Sequence, residues 1–269
     1  MLCEIPLAQP STMSIDRGEA FRLAQICVPK ILGRSASDSG GGFSESDVAI
    51  QSLCRLWAGM GFIYQVTVQL SSKRSCPFIV KRVIPPPKQT RSLGDERKAA
   101  SYLIEANFYR RVASSLIEEH GLAIPTPYHV ECAENDQVTI CMSKLNGSPG
   151  YLEGDRVHSA LDWLATLHAA TWGGKADGYV QQKSAQPIGS YWHLDTRPSE
   201  HDSMPRHGWE GRLKLAARAI DERLKRDEMQ CCIHGDAKDA NMLFNKGRVC
   251  MYDFQYFGKA PPSVRADHV

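Results

Sequence analysis

No run of about 18 consecutive apolar residues occurs in the 269-residue chain, so no transmembrane helix is predicted. Met1 to Pro10 lacks the basic region and long apolar stretch of a secretory signal. An excess of one charge sign is missing too. Lys plus Arg number 32 and Asp plus Glu 30, for a net charge of +2, which gives no electrostatic reason to expect a nucleic-acid partner. There is no CxxC spacing, no HExxH segment and no His/Cys cluster at ligand spacing, so a zinc site has no support. Internal repeats are absent. The nine cysteines are odd in number and scattered, with Cys231 and Cys232 adjacent, which reads as the reduced thiols of a cytoplasmic protein.

What is present is ordinary globular material. Hydrophobic residues make up 42% and charged residues 23%, enough for one large domain or two small ones. Residues 1–45 read as a variable segment. They hold a short helix and then the Gly/Ser-rich linker Ser35 to Ser46. Ile50 to Trp57 reads as helical. Phe62 to Leu70 alternates and is rich in β-branched residues, so it predicts a strand. A polar turn at Ser71 to Ser75 and a second strand, Phe78 to Val83, follow, and Pro85, Pro86 and Pro87 stop that strand. Gln137 to Ser143 predicts another strand.

Three helices stand out. With Tyr102 at 0°, Ala106, Tyr109, Ala113 and Leu116 of the Ser101 to Glu119 segment fall within about 40° of it. Glu105 lies at about −60°, on the edge of that apolar stripe, where a carboxylate needs a cationic partner. Asp155 to Trp172, closed by Gly173 and Gly174, carries Val157, Leu161, Leu164 and His168 on one stripe, which reads His168 as a packed core residue. Trp209 to Lys225 is the third. Residues 173–208 show no pattern. Strands over 62–143 and helices over 155–226 predict an α+β protein, a small sheet-containing lobe followed by a helical lobe.

The chemistry concentrates in CCIHGDAKDANMLF at 231–244 and VCMYDFQYFG at 249–258. In the first, Lys238 stands two residues and Asn241 five residues beyond Asp236; in the second, Asp253 follows a short apolar run. This is the order and spacing of a kinase catalytic centre. A carboxylate can accept the proton of an attacking hydroxyl. An amide oxygen and a carboxylate suit magnesium, which prefers oxygen ligands.

These motifs resemble the CHK-kinase-like, or ecdysteroid-kinase-like, proteins of the aminoglycoside phosphotransferase and choline kinase group. DWLATLHAATWGG at 162–174 is similar to that family's central helix, and the resemblance spans roughly residues 50–258. It implies a two-lobed protein-kinase-like fold, with an antiparallel sheet in the N-lobe, that transfers phosphate from ATP with Mg2+ to a hydroxyl of a small molecule. By the same resemblance, residues 46–145 form the nucleotide-binding N-lobe and 146–269 the C-lobe. Asp236 is implied as the catalytic base, Lys238 as a contact to the γ-phosphate, and Asn241 and Asp253 as metal ligands. His234 supports the loop. Lys81, in FIVKRV, is implied to hold ATP phosphates, and Glu105, in SYLIEANFY, to pair with it. Gly59 and Gly61 are expected to form the turn over the phosphates, and Lys144 to Pro149 the hinge. No membrane partner is implied.

The sequence departs from the family after FGKAPPSVRADHV, where Asp267 matches the family's next aspartate poorly. The family pattern continues through further helices that help build the acceptor pocket, so a C-lobe incomplete at its C-terminus is expected. Two alternatives follow. One is a truncated or inactive kinase-like module that binds nucleotide or a protein partner. The other is a hydrolase with Asp236 as nucleophile, in which Lys81, Glu105 and Asn241 have no role.

Overall fold

The computed structural model describes residues 15–33, 42–71, 74–191 and 193–264. The chain divides into two compact units, one of residues 1–117 and 124–147 and one of residues 118–123 and 148–269. The chain enters the second unit at Glu118 and again at Ser148. Among the described residues no helix is long and apolar enough to cross a membrane.

The first unit is a five-stranded antiparallel sheet between helices. Helix α1 (Arg17–Ile31) starts where the Asp16 side chain accepts from the Glu19 amide at 2.7 Å. Its Ala20, Leu23, Ala24, Cys27 and Val28 recur on one helical face and are buried. The weak apolar periodicity before the linker therefore belongs to a full core helix of 15 residues. Strands β1 (Val48–Arg55), β2 (Gly61–Gln69), β3 (Ser75–Val83), β4 (Pro127–Cys132) and β5 (Val138–Ser143) lie in the order β1-β2-β3-β5-β4. Phe78 and Val80 of β3, with Cys141 of β5, pack in the α1 core, and Lys81 points to the opposite face, as strand alternation requires.

Several expectations change here. Most of Ile50 to Trp57, read as helical, lies in the edge strand β1. A register shift between Ser52 and Cys54 interrupts its alternation, so the period-2 signal is lost while the backbone still pairs with β2. The expected Ser101 to Glu119 helix is two: α2 (Leu93–Arg111) and α3 (Ala113–His120). Helix α2 begins earlier than its apolar stripe. Ser92 and Asp95 form a reciprocal cap, Asp95 N to Ser92 Oγ at 3.1 Å and Ser92 N to Asp95 Oδ2 at 2.9 Å. Residues 72–73 of the expected polar turn, and the linker up to residue 41, lie outside the described residues, as do Met1 to Pro10 and Asp267.

The second unit is mainly helical: α4 (Asp155–Ala170), α5 (Gly174–Gln181), α6 (Pro198–Ser203) and α7 (Gly208–Arg226), with two small antiparallel pairs. Strand β6 (Cys231–Ile233) pairs with β9 (Gly258–Ala260), and β7 (Met242–Asn245) with β8 (Arg248–Met251). Lys246 and Gly247 take φ of 48° and 78°, the left-handed pair that a two-residue hairpin needs. Helix α4 buries Ala160, Trp163, Leu167 and Ala170. The stripe read from sequence is turned from this face by about 110° at 100° per residue. Leu161, Leu164 and His168 instead line a cavity of about 320 Å³ with Ala237, Pro262 and Val264. His168 is half-buried there rather than a core residue, and burial pushes its pKa down. Helices α5 and α6 give order to part of the stretch 173–208.

Candidate active site

Two sets of polar side chains stand out, one in each unit. In the first unit the Lys81 ammonium lies 2.6 Å from Glu105 Oε2, and the two side chains are 5% and 1% exposed. The sheet supplies the lysine from β3 and the helix packed on that face supplies the acid from α2. The cation that the helical wheel required beside Glu105 is thus Lys81. Tyr102, one turn before Glu105, carries two ammonium groups, Lys81 at 5.2 Å and Lys98 at 5.4 Å from the ring centroid. The sequence reading passed over Lys98, although its i, i+4, i+7 spacing with Tyr102 and Glu105 places all three on one helical stripe.

Gly59 and Gly61 sit in the tight connection from β1 to β2, where Leu56 N donates to Gly61 O at 2.8 Å. The GxG turn therefore follows the first strand rather than preceding it. Ala58 and Gly59 have positive φ, of 57° and 71°. At Gly61, φ is 137° and a Cβ would stand 2.0 Å from Arg82 O, so the pairing of β2 with β3 itself demands glycine there.

In the second unit, β6 carries the chain into His234-Gly235-Asp236. Thr171 Oγ1 accepts from the Cys232 amide at 2.9 Å and fixes the strand to the end of α4. At Gly235, φ is 84° and a Cβ would lie 2.0 Å from Tyr256 O, so this turn too admits only glycine. Asp236 Oδ2 is shared by two donors, Lys238 Nζ at 2.9 Å and Asn241 Nδ2 at 2.9 Å. Asn241 Nδ2 also donates to Asp236 O at 2.9 Å. Asp253 has φ of 68°, and its Oδ1 accepts from Gln255 Nε2 at 2.5 Å. Its neighbour Tyr252 donates its backbone N–H to Asn241 O at 3.1 Å and its hydroxyl to Ala240 O at 2.8 Å, so the two motifs are stitched together.

His234 completes that stitch. Its ring is 1% exposed, packed on Phe254 with centroids 4.7 Å apart. Nδ1 accepts from the Asp236 amide at 3.3 Å and Nε2 donates to Tyr252 O at 3.1 Å, the pattern of a neutral imidazole. Burial pushes its pKa down, against smaller upward pulls from Asp236 and Asp253. The structure thus brings Asp236, Lys238 and Asn241 together, with Asp253 on the adjoining segment. Among the described residues no group of three or more His, Cys, Asp or Glu side chains forms an all-protein metal site.

Residues 61–264 match the phosphotransferase enzyme family (APH), and the chain belongs to that family. No curated protein matches the chain. Among solved structures it is similar to the amicoumacin kinase hAmiN in complex with AMP-PNP, Ca2+ and Ami, with 14% identity and a TM-score of 0.48 over 89% of this chain and 67% of that one. It is also similar to a thermostable mutant of aminoglycoside phosphotransferase APH(4)-Ia, with 12% identity, a TM-score of 0.45 and coverage of 87% and 72%. An aminoglycoside phosphotransferase from Alicyclobacillus acidocaldarius matches at 15% identity and a TM-score of 0.40, over 81% of this chain and 66% of that one. The α+β architecture, an antiparallel sheet unit followed by a mainly helical unit, is as the sequence led us to expect.

Proposed function

We propose that this protein is an ATP-dependent kinase that phosphorylates a hydroxyl group of a small molecule. The observation that carries the reading is Asp236 Oδ2 held by Lys238 and Asn241 at 2.9 Å each. A carboxylate fixed in one orientation, beside a cation, suits proton abstraction from an alcohol next to a phosphoryl group. In the proposed reaction the acceptor oxygen bonds to the γ-phosphorus and the bond from that phosphorus to the ADP oxygen breaks. The hydroxyl proton passes to Asp236. Lys238 contacts the γ-phosphate as a point charge.

The first unit supplies nucleotide binding, through Lys81 with Glu105 and the turn at Gly59 and Gly61. The second supplies the base and the metal ligands. Asn241 turns its Nδ2 to Asp236, which leaves the hard oxygen Oδ1 for a cation, and Asp253 offers a carboxylate. Two protein oxygens fit magnesium, which otherwise takes phosphate and water oxygens. Bound there, Mg2+ would neutralise charge on the transferring phosphate. HGDAKDANMLF and MYDFQYFG support placement in the CHK-kinase-like branch of the family. The buried thiols of Cys27, Cys141 and Cys232 support residence in the reducing cytoplasm.

The test is thermal unfolding of the full chain with and without Mg-ATP, followed by ADP release over a panel of small-molecule alcohols. A magnesium-dependent rise in melting temperature is expected, lost in Asp253→Ala. Asp236→Asn should keep the rise but lose about 10²- to 10⁴-fold in turnover. A cooperative transition that Mg-ATP does not move would instead favour an inactive kinase-like module.

A further inference from the structure

We propose that Arg91 is a positioning residue of the nucleotide site, holding helix α2 so that Glu105 meets Lys81; this rests on the reading of Lys81 given above. Arg91 stands one residue before Ser92, the N-cap of α2. Its side chain is 4% exposed and its guanidinium is used at three points. Nε donates to Pro86 O at 2.8 Å, Nη1 to Asp136 Oδ2 at 2.5 Å and Nη2 to Asn135 O at 2.7 Å. Lys88 Nζ adds a second cation, 3.3 Å from Asp136 Oδ1. One side chain thus ties the proline segment after β3 and the start of α2 to the tip of the β4–β5 hairpin. Asn135 and Asp136 at that tip both take left-handed φ, 56° and 57°, a conformation that needs holding in residues other than glycine. Arg91 bonds to both. Its hydrogen bond, with Lys88 beside it, holds the Asp136 carboxyl below the usual carboxylate range against the opposing push of burial.

The hairpin belongs to the sheet that carries Lys81. Asp136 lies two residues before β5, and β5 pairs with β3 so that Ile140 stands opposite Lys81. Glu105 lies on α2 about 20 Å beyond Ser92, at 1.5 Å per residue. Helix and sheet are therefore joined by Arg91–Asp136 at one end and by Lys81–Glu105 further along. A single ion pair is a pivot about which a helix can swing or slide. Two separated ties fix both its direction and its place along the sheet. Drift of α2 would draw Glu105 away and the Lys81 ammonium with it, and a displacement of about 1 Å is enough to cost binding or turnover. Arginine suits the task because its planar fork reaches a carboxylate and two carbonyl oxygens at once, which a lysine cannot do.

The test separates positioning from folding. Binding of Mg-ATP and of adenosine to the full chain is measured by calorimetry for the wild type, Arg91→Met, Asp136→Asn, Lys81→Met and Glu105→Gln, and for Glu105→Gln combined with each of the first two. Arg91→Met should weaken Mg-ATP about tenfold and adenosine by no more than about twofold, since only a phosphate meets Lys81. Once Glu105→Gln is present, adding Arg91→Met should cost Mg-ATP no more than about twofold further, because the group that Arg91 positions is gone. Asp136→Asn keeps the shape of the side chain and should repeat the pattern at smaller size; it carries the same comparison if Arg91→Met does not fold. Unchanged Mg-ATP binding in Arg91→Met overturns the proposal. So does an equal loss for Mg-ATP and adenosine, or a loss as large beside Glu105→Gln as in the wild type, each of which marks a role in folding alone. If Lys81→Met weakens Mg-ATP and Arg91→Met does not, only the Arg91 proposal fails. If Lys81→Met binds Mg-ATP as the wild type does, or the wild type binds none, the reading of Lys81 fails and the proposal goes with it.

Discussion

The Lys81–Glu105 pair, at 5% and 1% exposure, has almost no water to screen it. Removing one partner takes this ion pair away from the other charge in the interior. Lys81→Met should therefore cost about 3–5 kcal/mol of stability, and Lys81→Met with Glu105→Gln together should cost less than Lys81→Met alone. Denaturant unfolding of the wild type, the two single variants and the double variant checks this; a double variant less stable than both singles would contradict it. The helical wheel asked only for some cation beside Glu105, and it was the family resemblance that named Lys81 of FIVKRV as that cation. The need for glycine at position 61 was not legible. It comes from Arg82 O, an atom on the neighbouring strand that no local pattern around Gly61 reveals.

Strand β1 and helix α4 show why some elements escaped a reading by periodicity. A bulge at Ser52–Cys54 breaks the alternation of β1, and what remains of the segment was read as helix. Helix α4 carries apolar residues on two faces. Composition picks out the stripe through Leu161 and Leu164, while packing buries Trp163 and Leu167, and only tertiary contact decides between them. The reverse holds for the loop at 234–241, whose candidate residues stand out by spacing and need no helix or strand assignment. Helix α1 makes a prediction at this scale. Leu23 is fully buried against the sheet, so Leu23→Ala should destabilise the chain by about 2–5 kcal/mol. A loss below about 1 kcal/mol, measured by chemical denaturation, would mean that α1 is a dispensable cover and not core.

For the whole chain, two imidazoles, His234 and His168, are held by burial below the ordinary histidine pKa of 6.5. As pH falls, the unfolded chain takes up their protons before the folded chain does. Their stability contribution is complete above pH 6.5 and drains away as the pH drops below it, until the folded groups also protonate. The melting temperature should therefore fall between pH 7.5 and about 5.5, and fall less steeply in His234→Gln. An equal slope in the variant would remove His234 from that account. The pairing of β6 with β9 has a consequence in time. The strand that delivers Asp236 finds its neighbour only at Gly258–Ala260, downstream of Asn241 and Asp253 in the sequence. During synthesis β6 and the loop that follows it must wait, without the native strand partner, until Ala260 has left the ribosome. The proposed site of this unit can then be assembled only late, after almost every residue discussed here has been translated.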